Sequence, residues 1–153
     1  MEQSNNTLHT PSKAFSIASL AVLVIGVATY IIGLFNAQML LNEKGYYLIV
    51  LMYGLFSAVS LQKSIRDKQE NIPTSKTYQL LSMISTAAAI VLLGVGLFNA
   101  DLLLSEKGFY GIAYLMSLYA AVAVQKNIRD KETLKQSIPE VTNDLDMDGT
   151  DRH

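Results

Sequence analysis

Two triplets, Glu43-Lys44-Gly45 and Glu106-Lys107-Gly108, set an acid beside a base at the edge of long apolar runs. Such a pair could serve as a charge cluster or a proton site. Together with Asn36, Glu43 and Lys44 could also act on a lipid at the membrane surface, as general acid–base chemistry requires. The plainer reading is that these charges stop the following helix from sinking into lipid, because charge at an interface is cheap compared with charge at mid-bilayer. A second charged set recurs in QKSIRDK and QKNIRDK: Lys63, Arg66 and Asp67, then Lys126, Arg129 and Asp130. These could recognise anionic lipid or a soluble partner. They also fit helix extensions with snorkelling bases and local pairing of Arg66 with Asp67 or Glu70. Near the C terminus, Asp144-Leu-Asp146-Met-Asp148-Gly149 opens like a calcium loop. His153 comes before the glutamate such a loop needs at its twelfth position, so an acidic disordered tail is the expectation. Cysteine is absent and the histidines are His9 and His153, both in polar tails. The apolar runs therefore cannot assemble a thiolate, metal or Ser-His-Asp site, and no cofactor or nucleic-acid partner is expected.

The elements that must position these residues are set by charge-free runs. Ala14 to Asn42 and Thr77 to Ala100 hold no charged residue, and Gly45 to Leu61 and Gly108 to Val124 are shorter runs of the same kind. Uncharged apolar stretches of about 18 residues or more read as membrane helices. A soluble four-helix domain would need a polar stripe on each helix, and a cleaved leader would have a shorter apolar core. The expected fold is all-α and integral to the membrane, with four transmembrane helices as two tandem, parallel-repeat hairpins. The polar N-terminal tail covers 1–12 and the first two-helix unit 13–70, with spans near 14–35 and 45–61. A linker at 71–75 leads to the second unit, 76–133, with spans near 77–98 and 108–124. An acidic disordered tail occupies 134–153.

The repeat is the clearest internal signal. An offset of 63 aligns the halves without a gap, and 21 of 36 positions between Gly33 and Lys68 match. Identity concentrates at the turn phrase, GLFNAQMLLNEKGYY against GLFNADLLLSEKGFY, and at the charged helix ends. Lipid-facing helix middles need only be apolar, whereas turns must satisfy backbone groups and hold charges at a set depth. Lys13 to Glu43 spans 30 residues but Lys44 to Lys63 only 19. Both legs cross the same thickness, so the first helix should end near Phe35–Asn36, with AQMLLN lying along the interface; a longer, tilted helix is the alternative. Asn42 and Ser105 are the expected N-caps of the second and fourth helices. Gly45 and Gly108 would admit a close helix approach or relieve a tight turn. The outer-turn candidates are thus Asn36, Glu43, Lys44, Gly45, Asn99, Glu106, Lys107 and Gly108.

Ten of the twelve basic residues fall on one side, with only Lys44 and Lys107 on the other. The positive-inside rule then places both termini in the cytoplasm. Small residues at helical spacing, Gly54 and Ala58, then Ala113, Ser117 and Ala121, mark packing faces within or between chains. Tyr30, Tyr53, Tyr114 and Tyr119 read as packing residues whose hydroxyls find partners. The spans contain no Asp, Glu, Lys, Arg or His, which argues against ion-coupled transport. A path for an uncharged solute would be lined by Ser57, Ser60, Ser82, Ser85, Thr86 and Ser117.

GLFNA, LNEKGYY, GLFSA, GLFNADLLLSEKGFYG and the two QK.IRDK segments resemble the bacterial YiaA/YiaB inner-membrane proteins, across about residues 12–131. That resemblance implies a bacterial inner-membrane location and a repeated two-helix unit, and carries no catalytic or binding residues with it. The functional expectation is a non-enzymatic protein acting through contacts with membrane lipids, with copies of itself as a homo-oligomer or with another membrane protein. The alternative is a small transporter or channel for an uncharged solute.

Overall fold

The computed structural model describes the backbone of residues 12–148 and the side chains of 12–136. His9, His153 and Gly149 of the calcium-like motif lie outside the described residues, as does nearly all of the N-terminal tail. Four helices follow in order: α1 (Lys13–Asn36), α2 (Leu41–Gln69), α3 (Lys76–Asn99) and α4 (Leu104–Asp148). All four are long and apolar enough to cross a membrane. Their outward faces carry large apolar side chains in quantity, such as Ile17, Val24 and Ile32 on α1 and Leu81, Ile84 and Val91 on α3. Surface of that extent and chemistry belongs against lipid.

Helix ends follow local chemistry. Ser12 caps α1, its hydroxyl accepting from the Phe15 N–H at 3.1 Å. α1 stops at Asn36, as the charge spacing predicts. α2 ends in a Schellman turn: Asn71 takes a positive φ of 57°, while Ile72 N–H donates to Asp67 and Asn71 N–H to Lys68. Asparagine tolerates that left-handed position, and Pro73 follows.

Two expectations are corrected. Asn42 and Ser105 do not cap their helices, because α2 begins at Leu41 and α4 at Leu104. The Glu43 carboxylate instead accepts from the Leu40 N–H, and that of Glu106 from the Leu103 N–H, each at 2.9 Å. Leucine offers no acceptor of its own, so only the glutamate half of a capping box is made, two residues earlier than an Asn42 or Ser105 cap would place it. At the other end, residues 134–148, expected in a disordered tail, continue α4 as helix to Asp148. Leu134, Lys135 and Gln136 are good helix formers, and extending an existing helix avoids the cost of nucleation.

The two helices of one repeat scarcely touch. α1 packs along α4, α3 packs along α2, and α2 and α4 meet at the centre, giving the spatial order α1–α4–α2–α3. Each outer helix therefore lies against the inner helix of the other repeat. The connections allow this. Ala37 and Leu40 are both extended, and a four-residue connection can reach up to about 13 Å, beyond the 8–10 Å between packed helix axes. Pairings at the 63-residue offset are reciprocal, so the repeats are related by a pseudo-two-fold axis running along the parallel central helices.

Candidate functional site

At the turn end of the bundle, the repeated phrase meets itself. A Cβ on Gly33 would come within 2.8 Å of the Phe109 ring and 3.2 Å of Tyr110; one on Gly96 would lie 2.7 Å from Tyr46 and 3.3 Å from Tyr47. The glycine opening each phrase makes room for the aromatic pair closing the other copy. Within each turn, Lys44 Nζ donates to the Phe35 carbonyl at 2.9 Å and Lys107 Nζ to that of Phe98 at 3.4 Å. The lysine thus caps the outgoing carbonyls of one helix while the glutamate caps the incoming N–H of the next. Of the remaining outer-turn candidates, Asn36 is exposed, and the Asn99 amide donates to the Val95 carbonyl at 2.9 Å. A Cβ on Gly45 or Gly108 would meet nothing within 4 Å, so neither serves a close approach, and neither has a positive φ. Glu43→Gln and Glu106→Gln keep an acceptor but lose its charge. Each should lower stability in detergent by about 0.5–1 kcal/mol, read from the unfolding midpoint, with Glu43→Ala costing more.

At the opposite, basic end, the charged helix extensions also meet across the repeats. Arg66 pairs with Asp130, and Arg129 pairs with Asp67. These are one interaction made twice, since 66 and 129, and 67 and 130, are equivalent repeat positions. Arg66 also holds Glu70 at 2.7 Å, Arg129 reaches the same carboxylate at 3.0 Å, and Lys63 holds Asp67 at 2.9 Å. The Arg66 hydrogen bond holds the Glu70 carboxyl below the usual carboxylate range, with Arg129 adding to the effect and burial opposing it. Of the two local pairings expected for Arg66, the one with Glu70 is made, whereas Asp67 is taken up by the inter-repeat cross. Of the six residues singled out at this end, Arg66, Asp67, Arg129 and Asp130 are engaged internally, Lys63 is shared with Asp67, and Lys126 stands exposed.

Between the two ends, the core is built from tyrosines and small residues. Tyr30 donates to the Tyr47 carbonyl at 2.9 Å and Tyr114 to the Val50 carbonyl at 3.0 Å, both fully buried. Of the other two tyrosines expected to find partners, Tyr119 is exposed, and Tyr53 is partly exposed and lines a cavity between α2 and α3. Tyr114 sits over Gly54, and Ser117 sits over Gly26 with its hydroxyl donating to Ala113. Both small-residue faces pack within one chain, Gly54 against α4 and Ser117 against α1. The hydroxyls expected along a solute path divide: Ser57, Ser60, Ser82 and Ser85 line a cavity of about 100 Å³ between α2 and α3, whereas Ser117 faces α1. Thr86 is turned onto its own helix, donating to the Ser82 carbonyl. They do not share one inward face.

A larger cleft of about 850 Å³ opens at the turn end between the two connections. Sequence reasoning missed it, because its walls come from the start of α2 and the end of α3. Residues such as Asp101 and Gln38 are unremarkable until those segments are brought together.

A family model described as the yiaA/B two helix domain matches twice, over residues 15–67 and 78–130. The chain is 58% identical over 126 residues to the inner membrane protein YiaA of Escherichia coli (strain K12), covering 82% of this chain and 87% of that one. It is 31% identical over 98 residues to the inner membrane protein YiaB of the same organism, covering 64% and 83%. Over 59 residues it is 41% identical to the uncharacterized membrane protein YubF of Bacillus subtilis (strain 168), covering 38% and 68%. No solved structure matches.

Proposed function

The chain belongs to the yiaA/B two helix domain family of membrane proteins, and from that premise we propose a multi-pass bacterial inner-membrane protein that works non-enzymatically, through contacts with lipid or other membrane proteins. The observation that carries this reading is the use made of the repeated charged residues. Glu43, Lys44, Glu106 and Lys107 cap helix ends, and Arg66, Asp67, Arg129 and Asp130 join the two repeats. The groups best suited to acid–base chemistry are committed to architecture, and the crossing segments hold no Asp, Glu, Lys, Arg or His. Apolar helix surface and exposed lysine at the basic end remain available to partners.

Both termini face the cytoplasm in this reading, supported by the concentration of lysine and arginine at one end. The natural absence of cysteine makes the orientation directly measurable. A Gln38→Cys variant, on the first turn, should react with a membrane-impermeant maleimide from the periplasmic side, and a Lys76→Cys variant only after the membrane is opened. The reverse pattern would overturn the orientation. For the function, in-membrane cross-linking followed by mass spectrometry should yield a self-adduct or a defined membrane-protein partner. A strictly monomeric species that captures neither protein nor lipid would remove the proposal's support.

A further inference from the structure

We propose that the cleft at the turn end binds a primary ammonium group carried on an apolar body. This goes beyond the contact role above and does not depend on which way the protein faces. The cleft is about 850 Å³, large enough for a headgroup or a small amphiphile. Its lining contains two carboxylates, Glu43 and Asp101, and no lysine or arginine. One Glu43 oxygen is occupied by the Leu40 N–H, which leaves the other free. Asp101 has no hydrogen-bond or ion-pair partner among the described residues.

The second observation is independent of the acids. Tyr47 is 5% exposed and lines the cleft, yet its hydroxyl has no partner among the described residues, although the hydroxyls of Tyr30 and Tyr114 are both bonded. It lies beside Gly96, which also lines the cleft and where a Cβ would come within 3.3 Å of the hydroxyl oxygen. The Tyr47 residue is otherwise buried, and its hydroxyl opens onto the cleft, where a ligand can complete its hydrogen bonding. Tyr46 stands edge-to-face on Tyr47 with ring centroids 5.3 Å apart, adding aromatic surface. Carboxylates, a hydroxyl acceptor and aromatic faces together form the recognition set of an alkylammonium ion. Asn99 contributes a further acceptor, because its amide N–H is directed to Val95 and leaves the side-chain oxygen available. Met39, Leu40 and Leu102 provide the apolar wall for the ligand's body.

Such a group could be the amine of an aminophospholipid in the surrounding leaflet or a free amphiphilic amine, and the test separates the two. The full chain in an uncharged maltoside detergent is titrated at pH 7 with octylammonium chloride, with octanol as the uncharged control. In parallel, native mass spectrometry reads adducts with short-chain phosphatidylethanolamine against short-chain phosphatidylglycerol. The wild type should bind octylammonium and not octanol. Asp101→Asn, an exposed and near-isosteric change, should weaken that binding about tenfold while keeping the wild-type unfolding midpoint. Tyr47→Phe should weaken it less. A phosphatidylethanolamine adduct that Asp101→Asn loses assigns the site to lipid; octylammonium binding without that adduct assigns it to a free amine. Failure of the wild type to bind either, or undiminished binding by Asp101→Asn, would overturn the proposal.

Discussion

Asp130→Ala should destabilise the bundle by about 2–3 kcal/mol, measured as the change in unfolding free energy in detergent. The removed carboxylate leaves Arg66 with Glu70 as its only ion-pair partner among the described residues, and Arg66 keeps only 18% of its side-chain exposure. Removing one partner of a fully buried pair costs roughly 3–5 kcal/mol. The estimate here is smaller because the guanidinium retains some water and one carboxylate. Asp67→Ala should behave alike through Arg129 and additionally frees Lys63. A double-mutant cycle over Arg66→Ala and Asp130→Ala should return a coupling of about 1–3 kcal/mol. Additive costs would mean that the inter-repeat cross does not join the central helices. Acid should weaken the same end. The folded-state Glu70 carboxyl titrates below its unfolded value, so its contribution is present above roughly pH 4 and is lost as the pH falls through the folded value. The effect is modest, since the Glu70 side chain is 34% exposed.

The second large effect lies in the core. Gly54→Ala should cost about 1–3 kcal/mol, because the new methyl would lie 2.8 Å from the Tyr114 ring carbon Cζ and closer still to its hydroxyl oxygen. Tyr114 is fully buried and bonded to the Val50 carbonyl, so it cannot withdraw without leaving that bond and a void. Combining Gly54→Ala with Tyr114→Leu should recover much of the loss, since leucine is the native residue at the equivalent position, Leu51. Gly45→Ala is the control. Nothing lies within 4 Å of its Cβ position, so it should be neutral or stabilising by up to about 1 kcal/mol. Equal destabilisation by both substitutions would show that helix flexibility, and not the Gly54–Tyr114 contact, governs stability.

These two sites divide what was legible in the chain from what was not. The apolar runs, their lengths and the charges bounding them predict four spans and an end to α1 at Asn36, because a bilayer dictates how far an uncharged helix can run. The repeat predicts two units facing the same way. The caps lie two residues before the expected ones. Asn42 and Ser105 are good N-cap residues by type, but a glutamate at the third helical position can satisfy a leucine N–H just as well, and composition alone does not rank the two.

The opening feature, Glu-Lys-Gly written twice, reads in the sequence as a candidate for chemistry. In the fold its acid and base close the ends of neighbouring helices, and the phrase's first glycine receives the aromatics of the other copy. A linear sequence shows that GLFNA and EKGYY both recur; it does not show that they recur because each packs against its counterpart 63 residues away.

The sequence by itself determined that this is a duplicated four-span membrane protein with a strongly basic end, since bilayer thickness and the expense of buried charge act on every residue locally. Only the tertiary structure decided which helix lies against which. Short connections suggest that α1 packs on α2 and α3 on α4, but four connecting residues are enough to let each outer helix cross to the other repeat. That exchange joins Arg66 to Asp130, seats Tyr114 on Gly54 and brings Asp101 to the same cleft as Glu43 and Tyr47. All three depend on complementarity between surfaces distant in sequence, which no local pattern encodes.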